Sequence, residues 1–242
     1  MKVRDLANPH TFMQLVRWMI PTFAIVAAAL LAIGFYLGFR APPDYQMGET
    51  VRIMFVHVPS AWLSLGIYTF MAIAALGTLV WRHPLADVAQ QAAAPIGAAF
   101  CLICLITGSL WGRPTWGTFW EWDGRLTSVL VLFIIYLGIL ALWRAFDEPL
   151  AAARAVAIIT LVGFINIPIV KFSVDWWSTM HQPASVFRLG GPTIHPAYLA
   201  PLLICALGFG LLFGALLLAA MRNEILRRRV RTLRILAAQE AR

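Results

Sequence analysis

Six long apolar stretches constrain the fold of this chain more than any other feature of its sequence. None of them contains Asp, Glu, Lys or Arg. They cover residues 18–39, 53–81, 88–110, 126–143, 155–170 and 195–221. A helix that crosses a bilayer needs roughly 20 mostly apolar residues. The fifth stretch is short, but Arg154 and Lys171 at its ends can extend their charges to the membrane surfaces. The sequence therefore predicts an all-α integral membrane protein with six transmembrane helices.

The composition supports this fold class and excludes others. Hydrophobic residues make up 61% of the chain and charged residues 12%, whereas about a quarter of a soluble domain is charged. A chain with so much apolar surface to bury is also not a disordered one. The net charge of +8 does not indicate a nucleic-acid partner. The basic residues flank the apolar stretches and concentrate at the C-terminus, which is the pattern that sets membrane topology.

The positive charges predict the orientation, because Lys and Arg are enriched in cytoplasmic segments. The N-terminal segment with Lys2 and Arg4, two of the connections, and the tail hold most of the basic residues. The other side holds Arg40, Arg52, Arg113, Arg125, Lys171 and Arg188. Both termini are therefore predicted to be cytoplasmic, and loops 40–52, 111–125 and 171–194 to lie outside. We expect a six-span membrane domain over 1–221 and a basic cytoplasmic tail over 222–242 that contacts the lipid bilayer.

The outer segment 111–128, WGRPTWGTFWEWDGRLTS, is unusually rich in tryptophan; we refer to it as the tryptophan segment. It contains Trp111, Trp116, Trp120 and Trp122. An interfacial aromatic belt explains single tryptophans at span ends, but not a dense cluster with glycines between the rings. We interpret the cluster as a shelf that presents flat rings to a flat ligand. If the segment is helical, Trp116 and Trp120 share one face. Asp123, just before the fourth span, is expected to cap that helix.

Two histidines accompany this segment. His57 lies about one turn inside the second span, where an ionisable group is costly and indicates a functional site. His181 follows two tryptophans in the last outer loop. Two imidazoles across an aromatic shelf suit haem, which needs a flat apolar slot and axial nitrogen donors. Zinc is the alternative ligand, but it takes three or four protein ligands, and no such spacing is present.

At these residues the chain resembles the haem exporter protein C family of cytochrome c maturation system I. The tryptophan segment is similar to the "WWD" signature of haem-handling membrane proteins. The resemblance extends to RIMFVHVPSAW, APIGAAF, ALWRAFD and DWWSTMHQ, and covers about residues 40–220. It implies that His57 and His181 are the axial ligands of haem b iron. It also implies that the signature tryptophans form a periplasmic haem platform.

The predicted haem-binding set also includes Asp123, Arg113, Arg125 and Arg188, the arginines as partners of the haem propionates. The resemblance implies that the protein lies in the bacterial inner membrane and passes haem to a periplasmic haem chaperone. It further implies partnership with an ABC-type ATPase subunit, a second polytopic membrane subunit and a small single-span subunit. No nucleophile with an activating base is present, so we predict a transfer subunit and not an enzyme.

The sequence leaves two other functions open. Haem lyases or cytochrome c synthases share the tryptophan signature, although they are usually larger and have more spans. A permease subunit for another solute would line a path through the spans with polar residues, for which Asn166 is nearly the only strong candidate.

Overall fold

The computed structural model describes residues 9–83, 85–177 and 179–240. Within these ranges it is all-helical, with six helical spans long and apolar enough to cross a membrane. This confirms the predicted fold class and makes the protein a multi-pass membrane protein. The helices are α1 Pro9–Arg40, a 3₁₀ helix Glu49–Ile53, α2 Met54–Leu79, α3 Ala86–Trp116, α4 Gly124–Arg144, α5 Pro149–Gly163, α6 Asn166–Trp176 and α7 Pro196–Glu240. Lys2, Arg4 and Arg242, which contribute to the predicted orientation, lie outside the described residues.

The fifth span consists of two helices, α5 and α6, separated by a turn at Phe164 and Ile165. Pro168 explains the break. A proline has no backbone N–H, and its ring clashes with the carbonyl four residues earlier, which here belongs to Phe164. The side chain of Asn166 at the break donates a hydrogen bond to the carbonyl of Ser128 on α4, at 2.9 Å. The strongest polar candidate for a permease path is thus bonded to a neighbouring helix.

Helix α1 packs mainly against α7, and two glycines allow the helices to approach closely. A Cβ atom at Gly34 would lie 2.6 Å from the Sγ atom of Cys205. A Cβ atom at Gly208 would lie 2.9 Å from Leu31. Both distances are shorter than real Cβ contacts, so any larger residue would force these two helices apart.

The core of the bundle lies among α2, α3, α4 and α5 and contains hydrogen bonds between helices. The hydroxyl of Tyr68 on α2 donates to the carbonyl of Thr160 on α5, at 3.1 Å. The Gln90 amide on α3 donates to the hydroxyl of the same threonine, at 2.7 Å. Tyr136 on α4 donates to the Ser64 carbonyl at 2.8 Å. These bonds satisfy polar groups that would otherwise be costly in an apolar interior, and they hold four helices in register.

Helix α7 continues without interruption through Met221 to Glu240. Its 45 residues give a length of roughly 68 Å, about twice the hydrocarbon thickness of a bilayer. Arg228, in the basic tail, forms an ion pair with Asp87 at the start of α3, at 2.6 Å. It also donates to Gln91 and Glu224, at 3.0 Å in each case. The first turns of the tail are therefore fixed to the membrane bundle.

Consecutive spans run in opposite directions, so alternate connections lie at the same end of the bundle. The described residues of the connections 41–53, 117–123, 177 and 179–195 share one end with the first turns of α2, α4 and α7 and the last turns of α3 and α6. His57, the tryptophan segment and the His181 loop therefore meet at that end. The tail lies at the other end.

Candidate functional site

His57 lies in the first turn of α2 and is held against α3. Its side chain is buried. The Nδ1 atom is 3.1 Å from the carbonyl oxygen of Cys104 and 3.1 Å from the hydroxyl oxygen of Thr107. The ring stands edge-on to Trp111, with centroids 5.7 Å apart and planes at 71°. His57 is thus a buried histidine within the predicted second span, and its imidazole has polar and aromatic neighbours in fixed positions.

His181 lies in the loop between α6 and α7, edge-on to a different tryptophan. Its ring centroid is 5.8 Å from that of Trp116 at the end of α3. Its backbone N–H donates to the hydroxyl of Thr179 at 3.1 Å. Burial, and secondly the positive charge of Arg125, lower the pKa of the His181 imidazole from its ordinary value. At neutral pH the ring is therefore uncharged and can act as a ligand.

The two histidines, which we call the histidine pair, are brought together from elements far apart in the sequence. The fold brings His57 and His181 to the same end of α3. Each imidazole contacts a tryptophan of the same helix, Trp111 in one case and Trp116 in the other. The C-terminal turns of α3 thus form the common support of the pair.

The tryptophan segment changes conformation in its middle. Helix α3 ends at Trp116 because Gly117 adopts a left-handed conformation, with φ +82°, which favours glycine at a helix C-terminus. The expectation that Trp116 and Trp120 share a helix face is therefore wrong. Trp120 lies beyond the helix and packs edge-on against Trp122 at 5.4 Å.

The aromatic rings differ in environment. Trp111 donates its indole N–H to the Sδ atom of Met47, at 3.0 Å. The indole N–H of Trp120 is buried and has no hydrogen-bond partner within the described ranges. Trp122 is 73% exposed. The exposed ring of Trp122 therefore lies beside the unsatisfied N–H of Trp120. A flat ligand could cover this exposed ring.

Asp123 caps α4, as predicted from the sequence. One carboxylate oxygen accepts a hydrogen bond from the backbone N–H of Leu126 at 2.7 Å, and the backbone at Asp123 is extended. The other oxygen accepts a hydrogen bond from the Thr179 hydroxyl. Since Thr179 also accepts from the backbone of His181, Asp123 connects the tryptophan segment to the His181 loop.

The three predicted arginines occupy different positions. Arg113 is exposed, lies over the Phe119 ring at 5.5 Å and donates to the carbonyl of Gly117. Arg125 donates to Ser173 at 3.3 Å and to the carbonyl of Lys171 at 3.2 Å, which joins α4 to α6.

Arg188, in contrast, donates to Thr193 within its own loop, at 3.5 Å. Within the described ranges it makes no hydrogen bond, ion pair or cation–π contact with the histidine pair or the tryptophan segment. Its predicted role toward a ligand carboxylate stays a prediction.

Three residues of the site have no unusual residue type or composition around them that would mark them in the sequence. Thr107 and Gly108 lie in an ordinary apolar span, and Thr179 in a polar loop. A Cβ atom at Gly108 would lie 2.9 Å from the Cε1 atom of His57. Their positions relative to Trp111 place Thr107 and Gly108 one turn before it on the same face of α3. That spacing is the sequence signal that could have identified them.

The arrangement supplies nitrogen ligands and aromatic surface, but no clustered carboxylates or thiolates. No group of three or more His, Cys, Asp and Glu side chains that could hold a metal ion occurs in the described parts of the chain. A site with two imidazoles suits a metal whose other coordination positions are already filled, as in haem.

The chain matches known proteins over most of its length. Residues 2–236 match the family model described as Heme exporter protein C. The protein of that name from Bradyrhizobium diazoefficiens is 63% identical over 238 residues, which covers 98% of this chain and 90% of the relative. The one from Escherichia coli strain K12 is 47% identical over 225 residues, with 93% and 91% covered. The one from Paracoccus denitrificans is 43% identical over 234 residues, with 96% and 97% covered.

Proposed function

The chain belongs to the heme exporter protein C family, and we propose that it binds haem at the periplasmic face of the inner membrane and delivers it to a periplasmic haem chaperone. Family membership supports a haem-handling role in cytochrome c maturation, as a transport subunit and not as an enzyme. The family name does not identify the iron ligands, the side of the membrane or the protein that receives haem.

The observation that carries the proposal is the convergence of His57 and His181 on one end of α3. Each ring is held edge-on to a tryptophan of α3, at 5.7 and 5.8 Å. Haem b supplies an iron with two free axial positions, and two neutral imidazoles fill both. With both positions filled by protein, no position is left for oxygen, which suits carriage of haem and not oxidation chemistry.

The tryptophan segment and the arginines would hold the porphyrin. Trp120 and Trp122 offer ring surface for the apolar face of haem. Arg113 is exposed beside them, and Arg125 is partly buried near His181. A guanidinium forms paired hydrogen bonds with a carboxylate, so these arginines are the proposed partners of the propionates. Arg188 would have to move with its loop to join them.

The side of the membrane follows from the charges. The basic tail lies at the end of the bundle opposite the histidine pair, and basic segments are retained in the cytoplasm. The site then faces the periplasm. A soluble chaperone could reach it there without crossing the bilayer.

Transfer requires that one iron bond break before the other. His57 is part of a membrane helix, whereas His181 lies in a loop and is tied to the fold through Thr179. We assign His181 as the ligand that is released first.

Heme exporter protein C belongs to an ABC-type complex, whose ATPase subunit, second polytopic subunit and single-span subunit are the proposed partners of release.

The experiment is haem retention by the purified protein, read as Soret absorbance per polypeptide. The double variant His57→Gly and His181→Gly should lose the absorbance while membrane insertion is unchanged. A double variant of His10 and His83, which lie away from the site, is the matched control. Full haem occupancy in the first variant would overturn the axial assignment. A Trp122→Cys variant tests the periplasmic location. A membrane-impermeant thiol reagent should label it from the periplasmic side and bound haem should reduce the labelling, whereas labelling from the cytoplasmic side only would place the site on the wrong side.

A further inference from the structure

The imidazole of His57 packs against one face of helix α3. The four residues that contact it are Cys104, Thr107, Gly108 and Trp111. They follow the spacing i, i+3, i+4 and i+7, which places them on a single face of a helix. We call these four residues the His57 socket.

We infer that the His57 socket fixes the proton of the His57 imidazole on Nδ1, so that Nε2 is the nitrogen available to bind iron, and that Thr107 is a positioning residue for this ligand. The role of Nε2 toward iron rests on the proposed function. The position of the proton does not, because it follows from the hydrogen bonds of the protein itself.

Both partners of Nδ1 are acceptors. The carbonyl oxygen of Cys104, at 3.1 Å, can only accept a hydrogen bond. The hydroxyl of Thr107 donates its own proton to the Ile103 carbonyl at 2.6 Å, so its oxygen presents a lone pair to Nδ1. A neutral imidazole carries one N–H. With that N–H on Nδ1, Nε2 keeps its lone pair, and it has no hydrogen-bond partner within the described ranges.

The other two residues of the socket fix the angle of the ring. A Cβ atom at Gly108 would lie 2.9 Å from Cε1, the carbon between the two ring nitrogens. Only a glycine therefore allows the ring to lie against the helix backbone at this point. The edge-on contact with Trp111 restricts rotation from the other direction. Together these contacts orient Nε2 before any ligand is present.

The imidazole of His181 also contacts a tryptophan, but the hydrogen bonding of its Nδ1 atom is weaker. That atom has one acceptor, the carbonyl of the adjacent Gln182, at 3.4 Å. An outer-shell acceptor on a ligating histidine sets the tautomer and raises the basicity of the other nitrogen. The socket therefore makes His57 the stronger and better oriented ligand of the pair.

The test has one arm without haem and one with it. In haem-free protein labelled with ¹⁵N-histidine, NMR should show His57, assigned with His57→Gln, as the Nδ1–H tautomer. An Nε2–H tautomer or an equal mixture would overturn the inference, whether or not the protein binds haem. If the tautomer is as expected but no haem binds, the proposed function fails and the socket stands.

In the haem-loaded protein, Thr107→Val removes one acceptor without changing the size of the side chain. It should accelerate haem loss by roughly tenfold and raise the reduction potential of the haem, because a less basic imidazole stabilises ferric iron less. Thr107→Ser keeps the hydroxyl and should restore both values. Equal behaviour of the valine and serine variants, or a faster rate with an unchanged potential, would assign Thr107 a packing role only. Gly108→Ala should give a larger effect than Thr107→Val, and a cooperative thermal unfolding transition will show whether that variant still folds.

Discussion

Asp123 accepts a hydrogen bond from the hydroxyl of Thr179, and this contact joins the tryptophan segment to the loop that carries His181. The same carboxylate caps helix α4 through the backbone N–H of Leu126. One buried acidic side chain therefore serves two structures that lie 56 residues apart. Its proposed contribution to haem binding is indirect, through the position of His181.

Substitution of Asp123 affects both the helix cap and the contact with Thr179. Asp123→Ala loses both hydrogen bonds and should lower the stability of the fold by about 1 kcal/mol, the usual cost of a lost N-cap, together with haem retention. Asp123→Asn keeps a capping acceptor but lacks the charge that strengthens the bond to Thr179, so its haem retention should be intermediate. Thermal unfolding and Soret absorbance measure the two effects.

Thr179→Val is the control for this comparison. It removes the loop contact and leaves the cap, so it should reduce haem retention with little change in the unfolding temperature. If Thr179→Val retains as much haem as the unsubstituted protein, the contact with Asp123 does not position His181.

Trp120 should matter more for haem than a tryptophan outside the segment. Trp120→Ala removes an aromatic surface worth about 1.4 kcal/mol or more, which corresponds to roughly tenfold weaker binding. Trp81→Ala, at an exposed position beyond the end of α2, should leave haem affinity unchanged. Equal losses in the two variants would mean that both rings act as an interfacial belt.

The pH dependence of haem retention should respond to Arg125. Burial and the charge of Arg125 lower the pKa of His181, and only the unprotonated imidazole binds iron. Haem should therefore be retained as the pH falls to the ordinary pKa of histidine, and be released below it. Arg125→Gln removes one of the two causes, raises the pKa of His181 and moves the midpoint of release to higher pH.

The matched control is Arg113→Gln, which removes an exposed arginine of the same segment. It should weaken haem binding without moving the midpoint. Soret absorbance followed against pH measures both variants. A midpoint for Arg125→Gln that stays in place, or moves to lower pH, is the contrary result.

Arg228 is expected to stabilise the protein without affecting haem. Its ion pair with Asp87 and its bonds to Gln91 and Glu224 hold the tail against α3. Arg228→Ala should lower the unfolding temperature of the detergent-solubilised protein, because charged hydrogen bonds are lost at a partly buried site. The haem spectrum should stay the same, since the histidine pair lies at the opposite end. A changed spectrum would mean that the two ends are coupled.

The spans and the cap at Asp123 could be predicted because they depend on local properties of the sequence. Apolar length defines a membrane helix, and Asp before an apolar run defines a helix start. The break at Phe164 and Ile165 was readable in principle from Pro168. It was hidden by the continuous apolar composition of the stretch 155–170.

The contacts of the site were less accessible, since they join distant segments. Nothing near His57 in the sequence indicates that Thr107 accepts from it, and the bond between Asp123 and Thr179 spans 56 residues. The helix stop at Gly117 was visible as a glycine but not as a left-handed one. The role of Thr107 on α3 can be recognised only once the packing of α3 against α2, which carries His57, is known.

Whether His57 and His181 ligate one haem iron is decided by electron paramagnetic resonance of the ferric protein. The unsubstituted protein should give a low-spin six-coordinate signal. His181→Gly should give a high-spin signal that added imidazole returns to low spin. A high-spin signal in the unsubstituted protein, or a low-spin signal that survives substitution of either histidine, would mean that the two histidines do not both bind the iron.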